Sequence, residues 1–256
     1  MRKTQLFVGV LLFASIFSLT SCDLLSSDST REFSKTSINN TSEKTDNTTT
    51  EIKKEMKYEL GNATIDSWTN SINSTWVKVA VPVTNTGDID IYLGDSSIDI
   101  ESKSGSLLKT KSYINGYPEY LKPGETGYYY EEFTVDFDTT GIKAIPHVDV
   151  EKASNAVIRY DISDVSITAD NYGGIKVMGR VENKTSQKGS LVYVAANLFD
   201  SNGKLICNCF TILENDLKVG DKVGFTCSPF AYDDIKPEDV AKYEIYAYPT
   251  QFNIDF

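Results

Sequence analysis

Three patterns of apolar and polar positions follow one another along the 256 residues. Leu6 to Leu19 is a nearly unbroken apolar run, diluted by Gly9 and two serines. From Asp23 to about Glu55 the chain is Ser, Thr, Asn, Asp, Glu and Lys with few apolar residues after Leu25. Such a stretch buries too little surface to offset its ordering entropy, so it is predicted to be a disordered tether. From residue 57 onward apolar residues alternate with polar ones, as in Val77/Val79/Val81/Val83, Ile89/Ile91/Leu93 and Ile98/Ile100. The same alternation returns in Ile175/Val177, Val192/Val194 and Val223/Phe225/Cys227. A period of two with β-branched and aromatic residues predicts half-buried strands. Turn residues separate them, in Asn85-Thr86-Gly87-Asp88, Lys122-Pro123-Gly124 and Asp200-Ser201-Asn202-Gly203. One short helix is predicted over Lys236–Lys242, with Pro237 and two acids in its first turn.

The alternating region repeats itself. Val77–Asn85 aligns with Ile175–Asn183 at an offset of 98, and Gly105–Lys109 aligns with Gly203–Cys207 at the same offset. Leu121-Lys122-Pro123-Gly124-Glu125 aligns with Leu217-Lys218-Val219-Gly220-Asp221 at an offset of 96. Three anchors in order at nearly constant spacing predict two β domains of about 100 residues, 57–154 and 155–256. The predicted class is all-β: two tandem immunoglobulin-like β-sandwiches after a signal peptide and a disordered linker, with a barrel as the alternative architecture.

Charge narrows the partners. The chain carries 25 basic and 36 acidic residues, a formal net charge of −11. Nucleic-acid binding needs a basic face, and no Lys/Arg cluster supplies one. Electrostatic adhesion to an anionic membrane is disfavoured for the same reason. A membrane contact must therefore come from the N-terminal segment. Arg2 and Lys3 precede the apolar run, which is shorter than the roughly 20 residues a spanning helix needs. This is the layout of a secretory signal.

Leu19-Thr20-Ser21-Cys22 resembles a bacterial lipobox. The resemblance implies cleavage before Cys22, leaving 1–21 as signal peptide, and lipidation of the Cys22 thiol, with residues 22–56 as the lipidated tether. Cleavage removes Arg2 and Lys3 and no acid, taking the formal charge to −13. The expected location is the extracytoplasmic face of the cell membrane. The second copy resembles the FxLYD domain of bacterial secreted and lipid-anchored proteins, through Val177–Thr185, Val192–Lys204 and Leu217–Gly220 leading to Phe225. In the name-giving stretch Leu198 and Asp200 match, Phe199 replaces Tyr and Ala196 replaces Phe. The first copy has Ile98-Asp99-Ile100-Glu101-Ser102 there and keeps only the layout. The resemblance implies an immunoglobulin-like fold and carries over no ligand or catalytic residue.

Candidate chemistry is sparse. His147 is the only histidine, in Ile145-Pro146-His147-Val148. Nucleophile-elbow, P-loop, H-E-x-x-H and dinucleotide patterns are missing together. The acids from Asp88 to Glu101 lack the D-x-D-x-D-G spacing of a calcium loop, and alternation puts Asp99 and Glu101 on a solvated face opposite Ile98 and Ile100. No pattern calls for a metal or cofactor. Asp200 is read as a turn-former and Leu198 as core. Tyr117 and Tyr120 flank Pro118-Glu119 in an expected loop and are the surface groups best suited to binding. Cys207, Cys209 and Cys227 lie in the second copy. In an exported chain a turn near Lys218 would set Cys209 opposite Cys227, suggesting that bridge first and Cys207–Cys227 second. Three buried thiols are the plainer alternative. The combined expectation is a non-enzymatic, lipid-anchored binding module for an envelope protein or cell-wall component. The alternative is an envelope enzyme or processing factor with a site that follows no motif.

Overall fold

The computed structural model describes residues 54–170, 174–231 and 235–250, which belong to one compact unit beginning at Glu51. The signal segment, Cys22 and nearly all of the tether lie outside the described residues. The fold is all-β, built from antiparallel sheets packed as sandwiches. In the first half the strands are β1 (Tyr58–Leu60), β2 (Thr64–Thr69), β3 (Thr75–Asn85), β4 (Ile91–Leu93) and β5 (Ser96–Glu101). They continue as β6 (Leu107–Tyr117), β7 (Tyr120–Leu121), β8 (Thr126–Val135), β9 (Lys143–His147) and β10 (Val150–Lys152). The second half has β11 (Asp161–Ala169), β12 (Ile175–Glu182), β13 (Val192–Phe199), β14 (Leu205–Ile212), β15 (Lys222–Cys227) and β16 (Lys242–Pro249).

Both halves share one strand order. In the second, β12 lies between β11 and β15, and β13 lies between β14 and β16. In the first, β3 likewise pairs β2 and β8, and β5 lies between β6 and β9. The first half departs by letting β6 bend across to β8, where Asn115–Tyr117 pair with Tyr130–Tyr128. That fuses its two layers into a seven-stranded sheet, beside a small sheet of β10, β4 and β7. The second half keeps a trace of the same crossing in the single bridge between Phe210 and Ser228. Each half has its own apolar core. Val77, Val79, Ile98, Ile100, Leu121 and Tyr129 belong to the first, and Ile175, Val177, Val194, Leu198, Leu217 and Phe225 to the second.

The repeated anchors are the same hydrogen-bond knot made twice. Asn85, fully buried at the end of β3, donates Nδ2 to the carbonyls of Ile89 (2.8 Å) and Leu121 (3.0 Å) and accepts the Gly87 N–H at Oδ1. Asn183, fully buried at the end of β12, donates Nδ2 to Gln187 (2.8 Å) and Leu217 (2.9 Å) and accepts the Thr185 N–H. The turns they hold also match: Glu125 accepts the Lys122 N–H and Asp221 the Lys218 N–H, with Gly124 and Gly220 at φ +83° and +84°. Positive φ is what glycine supplies at those positions.

Local expectations hold where one residue decides them. Asp200 Oδ1 accepts the N–H groups of Asn202 and Lys204, both at 2.9 Å, and Gly203 takes φ +77°. Leu198 is fully buried. Ile98 and Ile100 are buried while Asp99 and Glu101 are only half-buried. The predicted helix shrinks to one 3₁₀ turn, Pro237–Asp239. Asp239 turns back to accept the Lys236 N–H (2.9 Å), and Val240 is already extended towards β16.

Candidate functional site: the cleft where the two halves meet

Strand β13 shows why a site forms between the halves. Val194, Ala196 and Leu198 point into the second core, as a period of two requires. The alternate residues Ala195, Asn197 and Phe199 are buried as well. A strand buried on both faces needs a second layer against it. That layer is the outward face of β3, β8 and the end of β6, which offers Ala80, Tyr117, Tyr128 and Tyr130 to Phe199 and Leu205. Alongside, Tyr120, Ala153 and Val157 pack on Ala195 and Tyr248. Tyr117 meets Phe210 edge-on at 5.5 Å between centroids, and Tyr128 meets Phe199 at 5.7 Å, distances typical of attractive aromatic pairs.

Most polar groups inside this contact are matched, although the buried Arg159 Nε finds no hydrogen-bond partner among the described residues. Arg159 reaches the Glu125 carboxylate (2.7 Å) and the Tyr120 carbonyl with one terminal nitrogen and lies over the rings of Tyr246 and Tyr248. Lys78 donates to the Ile206 carbonyl (2.7 Å), and Lys204 pairs with Asp66 (2.6 Å). Glu132, 4% exposed, accepts the Tyr130 hydroxyl and the Ala231 N–H (2.8 Å).

At one side the contact opens into a cleft of about 450 Å³. Tyr117, Tyr130, Phe210 and Phe230 supply aromatic surface, and Glu131, Glu132 and Asn208 supply polar groups. Phe230 is 82% exposed. Burial pushes the Tyr117 hydroxyl up to about 12. Burial also raises the Glu131 carboxyl even though Lys111 stands 3.1 Å away.

Tyr117 and Tyr120 are thus placed differently from the expectation of an open loop. Tyr117 ends β6, Tyr120 begins β7, and Tyr120 is 7% exposed against Tyr248 and Tyr92. They serve a contact inside the chain, and of the two only Tyr117 also lines the cleft. The turn between them, with Pro118 in cis, half-buries Glu119, whose carboxylate acts on the hydroxyls of Tyr92, Tyr193 and Tyr248. Burial lifts this carboxyl to about 7. The folded chain then holds the Glu119 proton more tightly than the unfolded one, so its contribution to stability falls as pH rises from about 4.5 to 7 and stays lost above that. The full shift discounted for partial exposure is about 2 kcal/mol. Glu119→Gln is expected to flatten that slope and raise stability at pH 8 by about this amount in urea unfolding. An unchanged slope would contradict the assignment.

The expected Cys209–Cys227 bridge is not formed, nor is Cys207–Cys227: all three are free, buried thiols. The reason is topological. Residues 213–221 carry the chain from one layer of the sandwich to the other, so β14 and β15 are not hairpin partners. Cys207 and Cys209 share a face of β14 with sulfurs 3.8 Å apart, far beyond a disulfide bond. Burial pushes the Cys227 thiol up to about 12. His147 ends β9, where Nε2 lies 2.9 Å from Asp99 Oδ2, and Asp99 also accepts the Thr110 hydroxyl. Asp99 stands between the other two, so the Thr110 hydroxyl is bonded to a carboxylate and not to the imidazole. Among the described residues no group of three or more His, Cys, Asp and Glu side chains could hold a metal ion. No protein-family model matches the chain, and no curated protein matches it in sequence.

Sequence reasoning missed Phe210, Phe230, Asn208 and Glu132. The one available signal was the run Val192–Phe199, too continuously apolar for a strand with a wet face.

Proposed function

We propose that this chain is a lipoprotein of the extracytoplasmic membrane face, anchored through Cys22. Two immunoglobulin-like domains, 57–154 and an FxLYD-like 155–256, act together as a non-enzymatic binding module for an envelope protein or cell-wall component. The observation that carries the reading is the cleft between the halves, walled by Tyr117 and Phe210 and rimmed by Phe230 at 82% exposure. Large exposed aromatics beside a concave surface favour binding. The chemistry around it supports binding over turnover. Glu131 is engaged by Lys111, and Glu132 by Tyr130 and Ala231. Ser228 lines the cleft, while the chain's single histidine sits on β9 beside Asp99.

Two variants of the full chain test the two parts of this reading. Cys22→Ser is expected to move the protein from the membrane to the soluble fraction, and its retention in the membrane would defeat the anchor. Phe230→Ala is expected to lower capture of an envelope component by about tenfold with an unchanged melting temperature, since an exposed ring adds little to folding. Equal capture by both proteins would remove the cleft from the function.

A further inference from the structure

One wall of the cleft carries an oriented relay of amides beside an acidic edge. The Tyr117 carbonyl can only accept, so Asn197, fully buried, must turn Nδ2 towards it, and does so at 3.0 Å. That orientation points Asn197 Oδ1 at Asn208, which donates Nδ2 to it at 2.8 Å. Asn208 is 5% exposed and lines the cleft. One Nδ2 hydrogen is committed to Asn197, which leaves Asn208 its Oδ1 as an acceptor and its second Nδ2 hydrogen as a donor. The Glu131 carboxylate adds an acceptor and negative charge, whereas both Glu132 oxygens are taken by Tyr130 and Ala231.

We infer that the cleft receives the cationic side chain of a lysine or arginine carried by a partner polypeptide. Resting on the binding-module reading above, this names the chemistry of its ligand. Ammonium and guanidinium groups only donate, which suits the Glu131 carboxylate and Asn208 Oδ1 on the cleft wall. The aliphatic stem of a basic side chain lies well along aromatic rings, and its charged head is attracted to their faces. Tyr117, Phe210 and Phe230 supply those rings. Charge agrees over longer range, because a chain of net charge −11 attracts basic partners. A volume of about 450 Å³ suits one long side chain with its flanking backbone. Burial leaves the Glu131 carboxylate under-compensated by Lys111 alone, a deficit that a second cation relieves.

The test is calorimetric titration of the detergent-solubilised full chain with acetyl-Gly-Arg-Gly-amide, the same peptide with citrulline for arginine, and chitobiose. The arginine peptide is expected to bind at least about tenfold more tightly than its uncharged counterpart, and Glu131→Gln and Phe230→Ala to weaken it by about tenfold each. Phe230→Ala keeps the test decisive if Glu131→Gln disturbs the fold. Equal binding of the arginine and citrulline peptides overturns the cation assignment. Binding of chitobiose in place of the arginine peptide overturns it too and leaves the binding module standing with a glycan ligand. No binding of any probe, with capture of an envelope component still dependent on Phe230, also refutes the cation and spares the module. Capture independent of Phe230 refutes both.

Discussion

Asn85→Ala and Asn183→Ala are expected to cost about 3 kcal/mol of stability each, and nearly the same amount. Each removes a side chain that satisfies two carbonyls and a backbone N–H at once. The bonds to the Leu121 and Leu217 carbonyls are buried, where an acceptor left without a partner costs roughly 1–3 kcal/mol. The other carbonyls and the Gly87 and Thr185 amides lie nearer solvent, where losing a bond costs about 1 kcal/mol or less because water replaces it. In a unit of this size the sum corresponds to a fall in melting temperature of roughly 6–12 °C. Chemical unfolding of both variants checks the size, and the comparison between them checks the duplication. A cost under about 1 kcal/mol at either site would mean that its loop is held by something else. Asp in place of either Asn should be worse than Ala near neutral pH, since it replaces the donor with a buried charge.

These two residues also mark how far the chain could be read. Their alignment at an offset of 98 was visible, together with the Leu-Lys-x-Gly-acid turns they support. Strand alternation found both cores because residues such as Val77, Val79 and Val177 see only their own half. Asp200 and Gly203 were legible because a hairpin turn is decided within four residues. What stayed hidden depends on partners far apart in sequence. Tyr117 and Tyr120 had the composition of a binding loop, and nothing local tells a tyrosine that meets a partner from one that meets Tyr248 or Phe210. The cysteine pairing failed because a turn at Lys218 was read as a hairpin, when Leu217 is buried where the chain crosses between layers. Asn208 shows no local signal at all; its meaning comes from Asn197 and, through it, from a carbonyl 80 positions away from Asn197.

The largest effect on the architecture is expected from Ala195→Glu. Ala195 is fully exposed to neither solvent nor its own core: it is 0% accessible and packs with Tyr120, Ala153, Val157 and Tyr248 where the halves meet. A glutamate there overfills the contact and buries a charge, which costs several kcal/mol unless the halves part to hydrate it. Parting is feasible because Val194, Ala196 and Leu198 point the other way, into a core that the substitution does not touch. The parent chain is expected to unfold in one transition, since Arg159, Lys78 and the aromatic pairs tie each half to the other. The variant is expected to show two transitions by calorimetry, the second half keeping its own melting point. A single transition lowered as a whole would mean that neither half stands without the other, and the reading of two domains at 57–154 and 155–256 would fall. Two transitions would instead mean that the cleft exists only because two independently stable sandwiches are held together. Phe230-dependent capture should then vanish in Ala195→Glu, although Phe230 and its own half remain folded.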